Sequence, residues 1–147
     1  MMSDIGLIKN RLAGLTVLIA EDDEDSMRVA TRFLKLAGAD ILTAENGLAG
    51  WEMVRRSHPA LVITDLHMPF MDGWQLGEAI KTHEATRDIS LIALSADFSS
   101  KVLSRAIEMG FTGFIRKPLN PSKFVAEILD IIRTIPELNH RLSAIEE

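Results

Sequence analysis

Three carboxylates, a hydroxyl and an ammonium stand at matching places in this chain, each just beyond a short apolar run. Thr16-Val17-Leu18-Ile19-Ala20 runs into Glu21-Asp22, and Leu61-Val62-Ile63-Thr64 ends at Asp65. Ile89-Ser90-Leu91-Ile92-Ala93-Leu94 leads to Ser95, and Phe111-Thr112-Gly113-Phe114-Ile115 precedes Lys117-Pro118. If these runs are neighbouring strands, the carboxylates converge and repel one another unless a cation neutralises them. Ligands that are all oxygen favour a hard ion, Mg²⁺ first. A hydroxyl and a lysine beside such an ion suit a phosphoryl group in transfer, whose oxygens carry the developing charge. His58, His67, His83 and His140 show no ligand spacing, and the absence of cysteine excludes disulfides, thiol catalysis and thiolate metal sites.

The elements that must position these groups are legible in the same pattern. The first, third and fourth runs are apolar without alternation, as strands buried on both faces are. Asp40-Ile41-Leu42-Thr43-Ala44 is a weaker strand signal. The spacing predicts a helix from about Asp25 to Ala37, stopped by Gly38, and a second from the cap Asn46 to His58-Pro59. A third follows Asp72-Gly73, and a fourth runs from near Ser99 to Gly110. The fifth opens on Asn120-Pro121, read as N-cap and first helical proline, and continues through Ile135 to Pro136. Strand and helix thus alternate, which predicts an α/β fold with a parallel sheet covered on both faces. Ligands bind such sheets outside the carboxyl ends of the strands, where the chemical groups stand.

Composition bounds the rest. The chain has 147 residues, 47% of them hydrophobic and 25% charged, with a net charge of −5. That apolar share supports one folded core and argues against disorder. The negative balance disfavours direct nucleic-acid binding. No apolar run approaches the ~18 residues that cross a bilayer, and Met-Met-Ser-Asp lacks the features of a signal peptide. The expectation is a soluble, cytoplasmic domain that does not act at a membrane.

Taken in order, Glu21-Asp22, Asp65-Leu66-His67-Met68-Pro69-Phe70-Met71-Asp72-Gly73, Ser95-Ala96 and Lys117-Pro118 resemble the receiver domain of two-component response regulators. The resemblance spans about Thr16 to Ile135, and it is specific because four motifs fall in order at predicted strand ends. It implies a flavodoxin-like, doubly wound (βα)5 fold with strand order 2-1-3-4-5. It implies that Asp65 accepts a phosphoryl group from a histidine kinase or a histidine phosphotransfer protein. Mg²⁺ would be held by Asp22, Glu21, Asp65 and the backbone carbonyl of His67. Lys117 would pair with the phosphoryl oxygens, and Ser95 would hydrogen-bond one of them. Phe114 takes the aromatic switch position, and a cis peptide before Pro118 would aim Lys117 into the site. The implied protein is a phosphoacceptor signalling domain rather than an enzyme with a separate substrate, passing its state to a downstream protein by contact. His67 and Asp97, two residues beyond Asp65 and Ser95, are expected to tune the phosphoryl lifetime.

Phe114 is either ordinary core or a moving switch. Asp23, Glu24 and Asp25 read as the start of a helix, and Asp72 as a cap, not as ligands. A haloacid-dehalogenase-like phosphatase would use Asp23 and Asp25 as its Asp-x-Asp but leaves the motif around Asp65 unexplained. A flavodoxin-like carrier would meet repulsion from Glu21-Asp22-Asp23 at its phosphate loop. A pseudo-receiver scaffold would ordinarily lack an acid, the acceptor or the lysine, all of which are here. Outside the receiver, residues 1–15 (with Ile5, Ile8, Leu12 and Leu15) and 136–147 (with Leu138, Leu142 and Ile145) have helix-compatible spacing. Each is either a packed extension or a contact surface. The surplus of Ile128, Ile131, Ile132 and Ile135 suggests a partner surface, and the resemblance implies that the face of helix four, strand five and helix five serves it, in a homodimer or in output contacts. No output domain is expected within this length.

Overall fold

Apolar residues alternate between two cores because successive side chains of a strand point to opposite faces. In the computed structural model, which describes residues 9–146, Val17 and Ile19 enter one core while Leu18 and Ala20 enter the other. The strands are β1 (Thr16–Ala20), β2 (Asp40–Ala44), β3 (Leu61–Asp65), β4 (Ser90–Ser95) and β5 (Gly113–Arg116). They form one parallel sheet in the order β2-β1-β3-β4-β5. β3 and β4 are buried throughout, whereas the edge strand β2 is half exposed, as its weaker apolar run foretold.

The helices are α1 (Glu24–Leu36), α2 (Gly47–Ser57), α3 (Gly73–Thr82), α4 (Ser100–Met109), α5 (Phe124–Ile132) and α6 (Pro136–Glu146). α1, α5 and α6 cover one face of the sheet through Leu34, Phe124, Ile128 and Leu138. α2, α3 and α4 cover the other through Val54, Leu76, Ile80 and Ala106. Most starts are capped as the sequence indicates. Asp23 accepts from the Ser26 amide, Asn46 from Ala49 and Ser99 from Val102, and Asp72 forms a capping box with Gln75.

Three expectations are corrected. β5 starts at Gly113, two residues later than its apolar run, because Phe111 turns its ring into the second core, edge-on to Trp74. Asn120-Pro121 opens a turn over 121–123, not the helix. The Asn120 side chain accepts from the amide and hydroxyl of Ser122, and regular α5 begins only at Phe124. That helix also ends early, at Ile132. The Thr134 and Ile135 amides bond three residues back, and Pro136 begins a separate helix.

The isoleucine surplus is consumed inside the chain. Ile128, Ile132 and Ile135 are buried in one cluster with Leu138 and Leu142 of α6 and with Leu12 and Leu15. It therefore leaves no free apolar face on α5, and the argument for a partner surface there falls. Residues 9–14 are turns rather than helix, and Arg141 donates to the Gly14 carbonyl at 2.7 Å. Ile5, Ile8 and the side chain of Ile145 lie outside the described residues.

Candidate functional site

The site begins where β1 runs out. The Glu21 amide donates to the Ala44 carbonyl at 2.9 Å, which extends the β1–β2 pairing by one residue and turns the Glu21 side chain inward. Its side chain is 0% exposed. Asp22 stays exposed beside it, and Asp23 turns outward to cap α1. On the next strand Asp65 ends β3, buried, with Oδ1 accepting from the His67 amide at 3.0 Å. Across the sheet, the Lys117 amide donates to the Ser95 carbonyl, which carries Lys117 past the end of β5. The Lys117–Pro118 peptide is cis.

Lys117 Nζ then donates to Glu21 Oε1 at 2.7 Å and to Asp65 Oδ2 at 2.8 Å. A buried pair of this kind is held by geometry, and removing the cation leaves two uncompensated carboxylates. Burial opposes the charge on Lys117, but its hydrogen bonds to Asp65 and Glu21 outweigh that and hold the ammonium above its ordinary pKa. Glu21 is pushed up to about 7, first by burial and then by the neighbouring Asp65 charge, with the Lys117 hydrogen bond opposing. One oxygen, Glu21 Oε2, is buried without a hydrogen-bond partner.

That orphan oxygen is the test of whether a cation fits. One oxygen each from Glu21, Asp22 and Asp65 lies within 4.8 Å of the others. A buried acceptor left unsatisfied is costly, and a hard divalent cation held among these three carboxylates would satisfy it. The donor set suits Mg²⁺.

Not every expected residue joins this cluster. The Ser95 hydroxyl is engaged in its own loop, accepting from the Asp97 amide and donating to the Asp97 carbonyl, both at 3.0 Å. The Ser95 hydroxyl therefore stands at the neighbouring strand end without a hydrogen bond to the side chain of Asp65 or of Lys117. Phe114 is half-buried against the second core. The Asp97 carboxylate is held below its ordinary pKa by accepting from the Ser99 amide, with a weaker contribution from nearby His67. Asp23 and Asp25 are spent elsewhere, Asp23 on the helix cap and Asp25 on Arg28 at 3.2 Å, so the Asp-x-Asp alternative has no free pair.

Two residues act on the site in ways the sequence reading does not bring out. The positive φ in the loop before α3 belongs to Phe70, at 67°, and not to Gly73. Gly73 is needed for another reason: a Cβ there would sit 2.1 Å from the Asp65 carbonyl oxygen. Gly47 is similar, because its Cβ would meet the Met71 carbonyl at 2.2 Å while its amide donates to that oxygen. Together they seat the loop that carries Asp65 onward. The only trace in the sequence is two glycines at helix starts, and that trace does not reveal their neighbours.

A doubly wound parallel sheet with an acidic cluster and a lysine at its carboxyl edge is the arrangement of a receiver domain, and sequence comparison agrees. The response regulator receiver domain model matches residues 17–129, and the chain belongs to that family. It is 29% identical over 119 residues to the probable transcriptional regulator ycf27 of Porphyridium aerugineum, covering 81% of this chain and 48% of the relative. It is 29% identical over 122 residues to the phosphate regulon transcriptional regulatory protein PhoB of Pseudomonas aeruginosa, covering 83% and 53%. The chain thus spans about half the length of these relatives. Among solved structures, chemotaxis protein CheY4 of Vibrio cholerae superposes with a TM-score of 0.75 at 22% identity, covering 81% of this chain and 99% of that one. This last likeness shows the fold. Among the described residues no helix is long and apolar enough to cross a membrane.

Proposed function

We propose that this receiver domain is a phosphoacceptor. Asp65 takes a phosphoryl group from a phosphohistidine on a histidine kinase or phosphotransfer protein in a Mg²⁺-dependent reaction, and the domain signals onward by protein contact. The observation that carries this is the single cluster of Glu21, Asp22 and Asp65 within 4.8 Å, two of whose acids are bridged by Lys117.

An Asp65 carboxylate oxygen would attack phosphorus as the P–N bond of the donor imidazole breaks, leaving an acyl phosphate on Asp65 and a neutral imidazole once a proton is taken up. Carboxylate and phosphoryl oxygens repel, and Lys117, already hydrogen-bonded to Asp65, screens that repulsion. Glu21, Asp22, Asp65 and the His67 carbonyl would hold Mg²⁺, which when bound supplies further charge neutralisation at the phosphoryl oxygens. Ser95 would exchange its bonds to Asp97 for one to the phosphoryl group. Phe114, on the paired neighbouring strand, would respond to the space it leaves. His67 and Asp97 flank the acceptor and would set the lifetime of the acyl phosphate. A downstream protein would read the changed surface. A homodimer through the α4, β5 and α5 face would take its apolar contact from Ile107 of α4, 61% exposed, and not from α5, whose isoleucines are turned inward. A cytoplasmic setting and a receiver bounded at about residues 16 and 135 belong to the same reading.

Acetyl phosphate with Mg²⁺ should label the wild-type protein, and chelation should abolish the labelling. Asp65→Ala should remove it, and continued labelling of that variant at the wild-type rate would overturn the assignment. Lys117→Ala should retain Mg²⁺ binding while phosphorylation slows by about 10² or more, as for loss of one charge-stabilising donor.

A further inference from the structure

The loop between β3 and α3 carries a side chain that the fold does not use. Phe70 is 83% exposed, and its φ of 67° places a bulky residue in the left-handed region, where it is strained. Glycine or asparagine would occupy that position at lower cost and would expose no aromatic ring to water. The loop is pinned at both ends to the acceptor. The Asp65 carboxylate accepts from His67, and the Gly73 amide donates to the Leu66 carbonyl, with Gly73 packed on the Asp65 carbonyl. Phe70 therefore stands on the rim of the phosphoacceptor. Leu48, 58% exposed, follows Gly47, whose amide donates to the Met71 carbonyl at 2.8 Å, so the two exposed apolar residues flank one backbone contact. On another side of the same rim lies a groove lined by Asp22, Asp23, Glu24 and Glu45, with Arg28 paired to Asp25.

We propose that Phe70 and Leu48 form the apolar anchor by which a phosphohistidine-bearing protein docks on this domain, with cations of the donor facing the acidic groove. The inference rests on Asp65 being the acceptor. A donor must bring its phosphorus against the Asp65 carboxylate, so its surface must overlie the surrounding loops, and exposed aromatics at such centres anchor interfaces. The acidic side of the rim selects a donor with a basic border, and encounter between the two slows as salt rises. A small phosphodonor reaches Asp65 without touching either anchor.

The test compares two donors on wild type, Phe70→Gly and Leu48→Ser. Phe70→Gly relieves the left-handed strain, so a thermal midpoint at or above that of wild type is expected. One donor is acetyl phosphate with Mg²⁺. The other is a panel of the histidine kinases and phosphotransfer proteins of the source genome, each autophosphorylated with radiolabelled ATP. Labelling by acetyl phosphate should stay within about twofold, while transfer from the fastest protein donor falls by about tenfold or more in kcat/KM, chiefly through KM. Unchanged transfer from the protein donor would overturn the proposal, as would an equal loss with acetyl phosphate. Wild type labelled by acetyl phosphate but by no panel member would also overturn it. So would a wild-type dimer that Phe70→Gly converts to monomer, which would make a second copy the occupant. Failure of the acceptor reading itself is distinct: wild type and Asp65→Ala would then behave alike with acetyl phosphate.

Discussion

Glu21 carries one oxygen bonded to Lys117 and another, buried, with no partner, and its pKa stands at about 7 against an ordinary 4.5. A carboxyl whose folded pKa is raised binds its proton more tightly in the native state than in the unfolded chain. Its contribution to stability is therefore full below about 4.5 and is lost as pH rises through about 7. In metal-free protein, Glu21→Gln should remove this dependence, so that the variant melts roughly 5 °C above wild type at pH 8 but close to it at pH 4.5. Thermal unfolding across that pH range checks the sign, and a wild-type advantage at pH 8 would contradict it. Mg²⁺ should narrow the gap at pH 8, because a cation held by Glu21, Asp22 and Asp65 would relieve the buried charge. At this scale the sequence was informative for Glu21, Asp22, Asp65 and Lys117, since strand ends in a parallel sheet share one edge. It could not orient the Ser95 hydroxyl, which is decided by the backbone of Asp97 two residues on.

Helix α3 shows how an element holds the acceptor without touching the chemistry. Asp72 and Gln75 form a complete capping box, and Gly73 lies against the Asp65 carbonyl. Asp72→Ala should cost about 1 kcal/mol of stability, as loss of an N-cap does, with little change in labelling by acetyl phosphate. Gly73→Ala should do more to function, because a Cβ 2.1 Å from the Asp65 carbonyl must displace either the strand end or the helix. Urea denaturation and labelling rates measured on both variants separate the two effects. Comparable labelling by the two would show that Gly73 does not position Asp65. The strands and first four helices were legible because buried parallel strands and capped helices have strong local signals. The start of α5 was not. Asn120 has the residue type of a helix cap but satisfies Ser122 instead, and the choice between those turns is made by contacts that sequence spacing does not encode.

Over the whole molecule, the segments flanking the receiver pack into its first core. Leu142 of α6 is 2% exposed and Leu12 is 0% exposed, both in the cluster that holds Ile128 and Ile132. Leu142→Ala should therefore cost about 2–4 kcal/mol, whereas Ile107→Ala, at 61% exposed, should change stability by less than about 0.5 kcal/mol. Equal urea midpoints for the two variants would mean that α6 is not part of the cooperative unit. Periodicity gave these segments apolar stripes but not the surface they cover. That depended on how far the isoleucines of α5 overfill one buried stripe.

The contact between Arg141 and the Gly14 carbonyl has a consequence for the polarity of the molecule. Gly14 leads into β1, and Glu137, Leu138 and Arg141 line one cleft with Thr16, Ala60 and Ser90, where β1, β3 and β4 begin. Residues 9–15 and the first turns of α6 therefore meet at one pole of the sheet, and Asp65 opens at the opposite pole. Tethering the chain to a surface or a fused neighbour through either flank leaves the acceptor rim facing outward. Joining the two flanks through a short linker and opening the chain at an exposed loop elsewhere would give a circularly permuted receiver with that rim undisturbed.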